Sequence, residues 1–494
     1  MNQKRTSKSR RIIIIAAALA VIYCLLLIPA PSPPPLSPGS SIPFLWDKDA
    51  YWSQLETMFL HNRETDSTAL AASVDAGLKK VETLLDSCRT IDVAPSSSLL
   101  QQLEQAIFEL SPAIAAQPGY LREFVQFRTR LRTTIKDMSR HWDMSSTDSR
   151  DHLYRLLYGS RIAIEEIMLQ AETDSVPTLV IATNEPSATP SAEMLGVTIH
   201  SGDILLSRGG APTSALIARG NDYPGNFSHV ALVHVDANDA TVSIIESHIE
   251  IGVAVASVDD YLRDTKLRIL VLRMRTDHPA LIADPMLPHK AATHTLERVQ
   301  REHIPYDFAM DFMDGSKLFC SEVASGTYSK FGVGLWSSLS NISSIGVRSW
   351  LGAFGVTHFE TQEPSDLEYD PQLRVVAEWH DPETLYKDHL DNAVIDVMLE
   401  GAEAGQRLQY DWYMLPVARL AKVYSLVKNI WGGAGPMPEG MTATAALKND
   451  RFSREHTRIK EDMILLAEEF REERGYRAPY WELVKLARRA ANVR

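Results

Sequence analysis

The stretch LFCSEV, residues 318–323, follows a loop and has the pattern of a helix start, with Cys320 in its first turn. About 90 residues earlier, FSHVALV at 227–233 begins an apolar, strand-like run with His229. A cysteine becomes a good nucleophile only as the thiolate, and a helix N-terminus and a nearby imidazole both favour that charge. The two stretches together predict a thiol hydrolase in which Cys320 and His229 meet.

Cysteine hydrolysis also needs a group that orients the base and donors for the oxyanion. Glu246 closes the strand-like segment 241–246, which a turn at 236–239 would fold back beside the strand begun by His229. Adjacent antiparallel strands bring such ends within reach, so Glu246 is the predicted orienting acid. Backbone N–H groups at the start of the Cys320 helix are the predicted oxyanion donors. Each signal alone is weak, because a histidine at a strand start is more often structural, and the prediction depends on the combination.

Five short motifs resemble the permuted papain-like amidases, the YiiX/YaeF group related to NlpC-type cell-wall peptidases and to lecithin:retinol acyltransferase. In that family the histidine precedes the cysteine in the chain, as it does here, whereas papain has the opposite order. The resemblance covers residues 196–379 and leaves both flanking segments unexplained. The matching motifs are GDIL (202–205), SHVA (228–231), the strand end at Glu246, PYD (305–307) and FCSE (319–322).

The resemblance implies an α+β fold of permuted papain-like (NlpC-type) architecture, with helices around an antiparallel sheet. It implies Cys320 as nucleophile, His229 as base and Glu246 as the orienting acid of an amidase that forms an acyl-enzyme. Tyr306 resembles the tyrosine that lines the pocket of such enzymes, and Ser228 is expected beside it in the substrate site. The implied substrates are amides, either cell-wall peptides or acylated amines and lipids.

Two alternatives to an amidase stay open. An acyltransferase or thioesterase of the same fold would use the same acyl-enzyme and pass the acyl group to another acceptor. A non-catalytic envelope scaffold would keep the fold and hold a protein partner on its helical flanks. The presence of Cys320, His229 and Glu246 together argues against the scaffold, because a copy that had lost catalysis would more readily have lost one of them.

Other motif residues have simpler interpretations. Asp203 is expected to form a turn by accepting from nearby backbone donors. Glu322 lies in a first helical turn, where the helix dipole stabilises a carboxylate without any chemistry. No metal or cofactor is expected, because one group of histidines near Asp284 lacks the spacing of metal ligands. These predicted surface residues are His278, His289 and His294.

Composition excludes several classes of protein. The chain has 494 residues, a net charge of −13 and 45% hydrophobic residues, which predicts two or three globular domains. The net charge argues against a nucleic-acid or anionic-membrane footprint over most of the surface. Its three cysteines are too few for a disulfide framework, although a bridge between Cys88 and Cys320 stays open.

The N-terminus resembles an export signal. Five basic residues between positions 4 and 11 precede an uncharged apolar run at 12–28, which is at the short end for spanning a bilayer. No clear cleavage pattern follows, so an uncleaved signal anchor is favoured over a cleaved signal. For a Gram-negative source, this predicts a single pass through the inner (cytoplasmic) membrane, with the catalytic domain in the periplasm.

Five regions follow from these patterns. Prolines dominate the spacer after the apolar run, helical periodicity follows on both sides of the strand-rich part, and a loop rich in serine and proline at 184–193 precedes the strands. The predicted regions are a signal anchor at 1–30, a Pro-rich linker at 31–45, a helical domain at 46–175, the hydrolase domain at 196–380 and a C-terminal helical region at 381–494.

Overall fold

A seven-stranded antiparallel sheet lies at the centre of the protein, whose computed structural model describes residues 3–31, 39, 41–45, 48–90, 93–336, 338–430, 433 and 435–492. The strands are β1 Leu179–Ile181, β2 Ser191–Met194, β3 Val197–His200, β4 Ile204–Gly209, β5 His229–Val235, β6 Val242–His248, β7 Gly252–Ala256, β8 Lys266–Met274, β9 Ser340–Asn341, β10 Glu360–Thr361 and β11 Leu373–His380. The main sheet has the order β1-β11-β8-β4-β5-β6-β7, and β2–β3 and β9–β10 form separate pairs. With the helices described below, this confirms the predicted α+β class.

Helices from the N-terminal part of the chain pack into a bundle of their own. They bury an apolar stripe at three- and four-residue spacing, in which Val74, Val81 and Leu85 are almost wholly shielded. The helices that precede the sheet are α1 Gln3–Leu26, α2 Lys48–Glu64, α3 Ser67–Thr90, α4 Ser98–Ala116, α5 Leu121–Met138 and α6 Thr147–Gln170. Of these, α2 to α6 form the bundle.

Both faces of the central strands are covered, which is why β4, β5 and β8 are nearly continuous runs of branched apolar residues. The helices that come between the strands are α7 Pro212–Arg219, α8 Val258–Arg263, α9 Pro279–Ala283, α10 Leu287–Arg301, α11 Cys320–Ser329, α12 Ile345–Phe354 and α13 Asp366–Tyr369. Helices α10 and α11 pack on β5. Helices α9 and α10 are separate, and Pro288, which lacks an N–H group, lies in the first turn of α10.

The C-terminal helices contact both of the other regions, a point that the sequence left undecided. They are α14 Pro382–Glu403, α15 Leu415–Ile430, α16 Ala443–Arg474 and α17 Tyr480–Asn492. Their shared core includes residues of α7 and α12. Toward the bundle, the Trp481 indole N–H donates to Glu56 at 3.0 Å and the Gln170 amide donates to the carbonyl of Arg477 at 3.0 Å.

Buried ion pairs join the bundle to α13 and to the sheet. Arg161 on α6 pairs with Glu368 and with Glu378 of β11, and all three side chains are at most 3% exposed. Glu165, one turn further along α6, accepts from Arg268 of β8 at 2.5 Å. We call these five residues the buried charge network. Because this network is buried, the contact between the helical region and the sheet is part of the protein interior.

The structure bears on three predictions about the N-terminal region and the cysteines. Among the residues described, no helix has both the length and the apolar character needed to cross a membrane, so the predicted span at 12–28 receives no support. The Pro-rich linker at 31–45 lies largely outside the described residues, which include only 31, 39 and 41–45 of it. The bridge between Cys88 and Cys320 is absent, because both are free thiols.

Candidate active site

A cavity of about 400 Å³ opens where β5 begins and α11 begins. Cys320, His229, Ser228 and Tyr306, four of the five predicted site residues, line it, and the fifth, Glu246, contacts it through His229. The remaining wall residues come from α7, the end of β6, β8 and the segment before and within α16.

Cys320 is the first residue of α11, as the sequence predicts, and its side chain is buried. The helix start is fixed by Glu322, whose carboxylate accepts from the Phe319 backbone N–H at 2.9 Å. That bond gives Glu322 the structural role expected for it. The Cys320 thiol donates to the carbonyl of Ser228 at 3.8 Å. Its hydrogen bond among the described residues therefore goes to the neighbour of His229 rather than to the imidazole itself.

His229 and Glu246 meet because of the strand register. Ala231 pairs with Glu246 across β5 and β6, and His229 lies two residues before Ala231, so both side chains project from the same face of the sheet. His229 Nε2 lies 2.7 Å from Glu246 Oε2. A carboxylate can only accept, so the proton of the neutral ring is on Nε2 and the lone pair is on Nδ1.

His248 is a site residue that the sequence reasoning missed. Its Nε2 lies 3.1 Å from Oε1, the second oxygen of Glu246, and its ring centroid is 5.8 Å from that of His229. It also lines the cavity. A signal was present, because Glu246 and His248 alternate with Ser247 along a strand and so share a face.

The other motif residues have contacts that hold the site in place. Asp203 is buried, accepts from the backbone N–H of His200 at 2.8 Å and pairs with Arg273, which is the turn-forming role expected for it. Ser228 accepts from the Gly209 backbone N–H through its hydroxyl at 3.4 Å. The Tyr306 ring packs edge-on against Phe308 with centroids 5.0 Å apart.

Comparison with known families finds one match for this part of the chain. Residues 198–377 match the model of the family described as permuted papain-like amidase enzyme, YaeF/YiiX, C92 family. The match covers just over a third of the chain, and residues 198–377 are called the amidase domain below for that similarity. The match supports a hydrolase of the cysteine amidase or peptidase type.

Other comparisons add little. No curated protein matches the chain. Among solved structures, the crystal structure of the metalloprotein yiiX from Escherichia coli O157:H7 aligns with 36% of this chain and 97% of its own, at 15% identity and a TM-score of 0.29. A score of that size supports no conclusion. Within the described residues, no group of three or more His, Cys, Asp or Glu side chains is arranged to hold a metal ion.

In the amidase domain, Cys320 and His229 both rest in their neutral forms. Burial raises the pKa of the Cys320 thiol to about 12, against the smaller opposing effect of the Val230 and Ser321 backbone amides. Burial also lowers the pKa of His229 below the ordinary histidine value, and the hydrogen bond to Glu246 only partly offsets this. The site therefore holds a thiol and a neutral imidazole rather than a thiolate–imidazolium pair.

Glu246 and His248 have the opposite tendency. Burial works against the charge of Glu246, but the hydrogen bonds from His229 and His248 outweigh it and lower the pKa of the carboxyl. Burial likewise opposes the charge of His248, yet the bond to Glu246 prevails and raises the pKa of that imidazole. The amidase domain thus places a charged pair next to the neutral imidazole of His229.

The C-terminal helical region completes the cavity of the amidase domain, although the family match ends before it. Pro438, Met441 and Asn449 contribute to the wall. Thr213 of α7 donates to the Asn449 side-chain oxygen at 3.2 Å, which fixes that wall to the domain. These residues carry no sequence signal, because they lie more than a hundred residues after Cys320 in the chain.

Proposed function

We propose that the protein hydrolyses an amide bond through an acyl-enzyme on Cys320, with His229 as base and Glu246 as the group that orients the base. The observation that carries the proposal is the 2.7 Å bond between His229 and Glu246 in a cavity that the Cys320 thiol also lines. That bond keeps the lone pair of the imidazole on Nδ1, the nitrogen that can accept a proton from the thiol.

The resting protonation states define the first step. As Cys320 Sγ attacks the carbonyl carbon, the thiol proton passes to His229, because a thiol with a raised pKa is a poor nucleophile without a base. The imidazolium formed is stabilised by Glu246, which is already ionised. Backbone N–H groups at the start of α11 are the proposed donors to the oxyanion.

The second half of the reaction returns the enzyme to its starting state. The C–N bond breaks as His229 gives its proton to the leaving amine, and the thioester stays on Cys320. Water then attacks the thioester carbonyl carbon with His229 again as base. The C–S bond breaks, His229 returns its proton to Cys320 Sγ, and a carboxylic acid leaves.

Access of water favours hydrolysis over acyl transfer. His229 and His248 retain 18% and 31% of their side-chain exposure, so solvent reaches the base directly. The substrate is proposed to be a cell-wall peptide or an acylated amine or lipid, and an extracytoplasmic location, with a protein partner on the helical flanks, is part of the same proposal.

The test compares two buried cysteines. In a Cys24→Ser background, which removes an exposed thiol, Cys320→Ala and Cys88→Ala are each treated with iodoacetamide-alkyne and assayed on N-acyl p-nitroanilides. We expect Cys320→Ala to lose both hydrolysis and labelling of the peptide that contains residue 320. Cys88, buried in the bundle with its pKa raised to about 11, is the matched control and should affect neither. Hydrolysis that survives in Cys320→Ala contradicts the proposal.

A further inference from the structure

The helix α15 and the 3₁₀ turn before it, Trp412–Met414, expose an unusual density of large apolar side chains. Most side chains on this face are at least half exposed. We call this segment, residues 412–430, the α15 surface. Its exposed members are Trp412, Tyr413, Met414, Val417, Leu420, Val423, Tyr424, Leu426 and Val427. Such a row is too large for the scattered apolar residues of an ordinary water-facing surface.

The charge of this segment differs from that of the rest of the chain. Residues 412–430 contain three basic residues, Arg419, Lys422 and Lys428, and no acidic one, whereas the whole chain has a net charge of −13. An apolar helix whose own charged residues are all basic is the pattern of a helix that lies in the interface of a membrane containing anionic lipid.

A second exposed apolar helix continues the α15 surface. Arg419 donates to the carbonyl of Leu25 at 3.2 Å and also to that of Ile28, so the end of α1 is fixed against α15. Leu19, Val21 and Ile22 of α1 are each more than half exposed. Segments almost 400 residues apart in the chain are therefore in contact here, and each of them exposes large apolar side chains.

The α15 surface is also connected to the cavity of the amidase domain. Lys422 donates to the carbonyl of Pro438 at 2.7 Å, and the hydroxyl of Ser425 accepts from the backbone N–H of Met437 at 3.0 Å. Pro438 and Met441 line the cavity. A membrane against the α15 surface would thus lie next to the wall that the C-terminal region contributes.

We propose that α15 lies parallel to a membrane, with its apolar side chains among the lipids and Trp412 and Tyr413 at the level of the headgroups. Trp and Tyr are the residues that favour that depth. A second copy of the chain is a poorer occupant, because a two-fold interface would bring the same basic residues face to face. The proposal is independent of the catalytic assignment and concerns a surface segment rather than a membrane-spanning one.

The experiment reads the position of Trp412 in the full chain bound to vesicles of phosphatidylcholine and phosphatidylglycerol. Brominated lipids quench the fluorescence of tryptophans that enter the bilayer, and the difference between the chain and its Trp412→Phe variant isolates the signal of Trp412. Because every sample keeps α1, attachment through that helix is the same throughout. The same difference is measured in two backgrounds, Leu420→Asp/Val423→Asp and the control Leu465→Asp. Leu465 on α16 is 66% exposed, against 65% for Leu420.

We expect quenching of Trp412 in the wild type and in Leu465→Asp, and a fall of about tenfold in vesicle-bound Trp412 in the α15 double variant. Circular dichroism should show both variants folded, since the replaced side chains contact solvent. Absence of Trp412 quenching in the wild type, or equal quenching in the double variant, overturns the proposal. So does light scattering that shows a wild-type dimer without vesicles and a monomer for the double variant, because a second copy would then be the occupant.

Discussion

The buried charge network and the cavity of the amidase domain, called the cleft below, both hold ionisable side chains away from water, but with opposite results. In the network, burial opposes the charge of Glu165 and Glu378, yet neighbouring arginines outweigh it and lower the pKa of each carboxyl. In the cleft, burial prevails at Cys320 and His229 and keeps both neutral. In the network, arginine cations compensate the cost of desolvation. In the cleft, Cys320 and His229 avoid that cost by staying neutral.

This difference separates structure from chemistry. A guanidinium keeps its proton at any relevant pH, so a carboxylate paired with Arg161 or Arg268 takes part in no proton transfer. Its role is to hold the bundle against the sheet. An imidazole changes charge near neutral pH and can accept and return a proton. The comparison predicts that substitutions in the cleft reduce activity with little effect on stability, and that substitutions in the network do the reverse.

The largest effect is expected for His229→Ala, which removes the proposed base. Without it the thiol stays protonated, and hydrolysis of an N-acyl p-nitroanilide should fall on the order of 10⁴-fold, equivalent to about 5.5 kcal/mol. Urea unfolding should change little, because the ring is partly exposed. The control is His234→Asn on the same strand, whose ring faces His289 outside the cavity. A variant that unfolds instead of losing activity would place His229 with the network.

The next effect is on stability alone. Arg161→Met leaves Glu368 and Glu378 buried without their shared partner, and the free energy of unfolding should fall by about 3–5 kcal/mol in urea denaturation. The matched control is Arg263→Met, which breaks a surface pair with Asp260 at 2.7 Å and should cost at most about 1 kcal/mol. Equal losses in the two variants would show that burial does not distinguish these ion pairs. Activity per folded molecule should be unchanged in both.

The sequence was sufficient for the parts of this comparison that depend on local pattern. Branched runs predict the buried strands, and the two-residue period of β5 and β6 places His229 and Glu246 on one face. The position of Cys320 follows from its helix start. These inferences need only the period of an element and one turn between neighbours.

What the sequence did not reveal depends on contacts between distant segments. Arg161 has the pattern of an ordinary surface charge on a helix, and only docking of the bundle onto β11 buries it. Short β1 pairs with β11 from almost 200 residues away, and the β2–β3 hairpin begins within the stretch assigned to a loop. Met441 reaches the cavity through α15 and α16, which no local pattern indicates.

A smaller effect, on both rate and pH dependence, is expected for Glu246→Gln. The amide cannot supply the negative charge that stabilises the imidazolium, so kcat/KM should fall about 10²-fold. Glu246 raises the pKa of His229 against the lowering effect of burial, so its removal should shift the acid limb of the pH–rate profile to lower pH. In the wild type that limb should already lie below the ordinary histidine value of about 6.5. Glu250→Gln, at the cavity wall, is the control and should leave the limb in place.

The smallest effect is expected for His248→Gln, which should shift the pH–rate profile in the opposite direction. Glutamine can still donate to Glu246, so kcat/KM should fall by no more than about tenfold, the value of one hydrogen bond. Protonated His248 lowers the pKa of His229 through charge repulsion, and its removal should shift the acid limb to higher pH. Glu246→Gln replaces the carboxylate and His248→Gln replaces a side chain that contacts it, so a non-specific disturbance of the site would move both profiles the same way. Shifts in opposite directions would mean that Glu246 favours the charge on His229 and that His248 opposes it. Parallel shifts would mean that His248 contributes only packing.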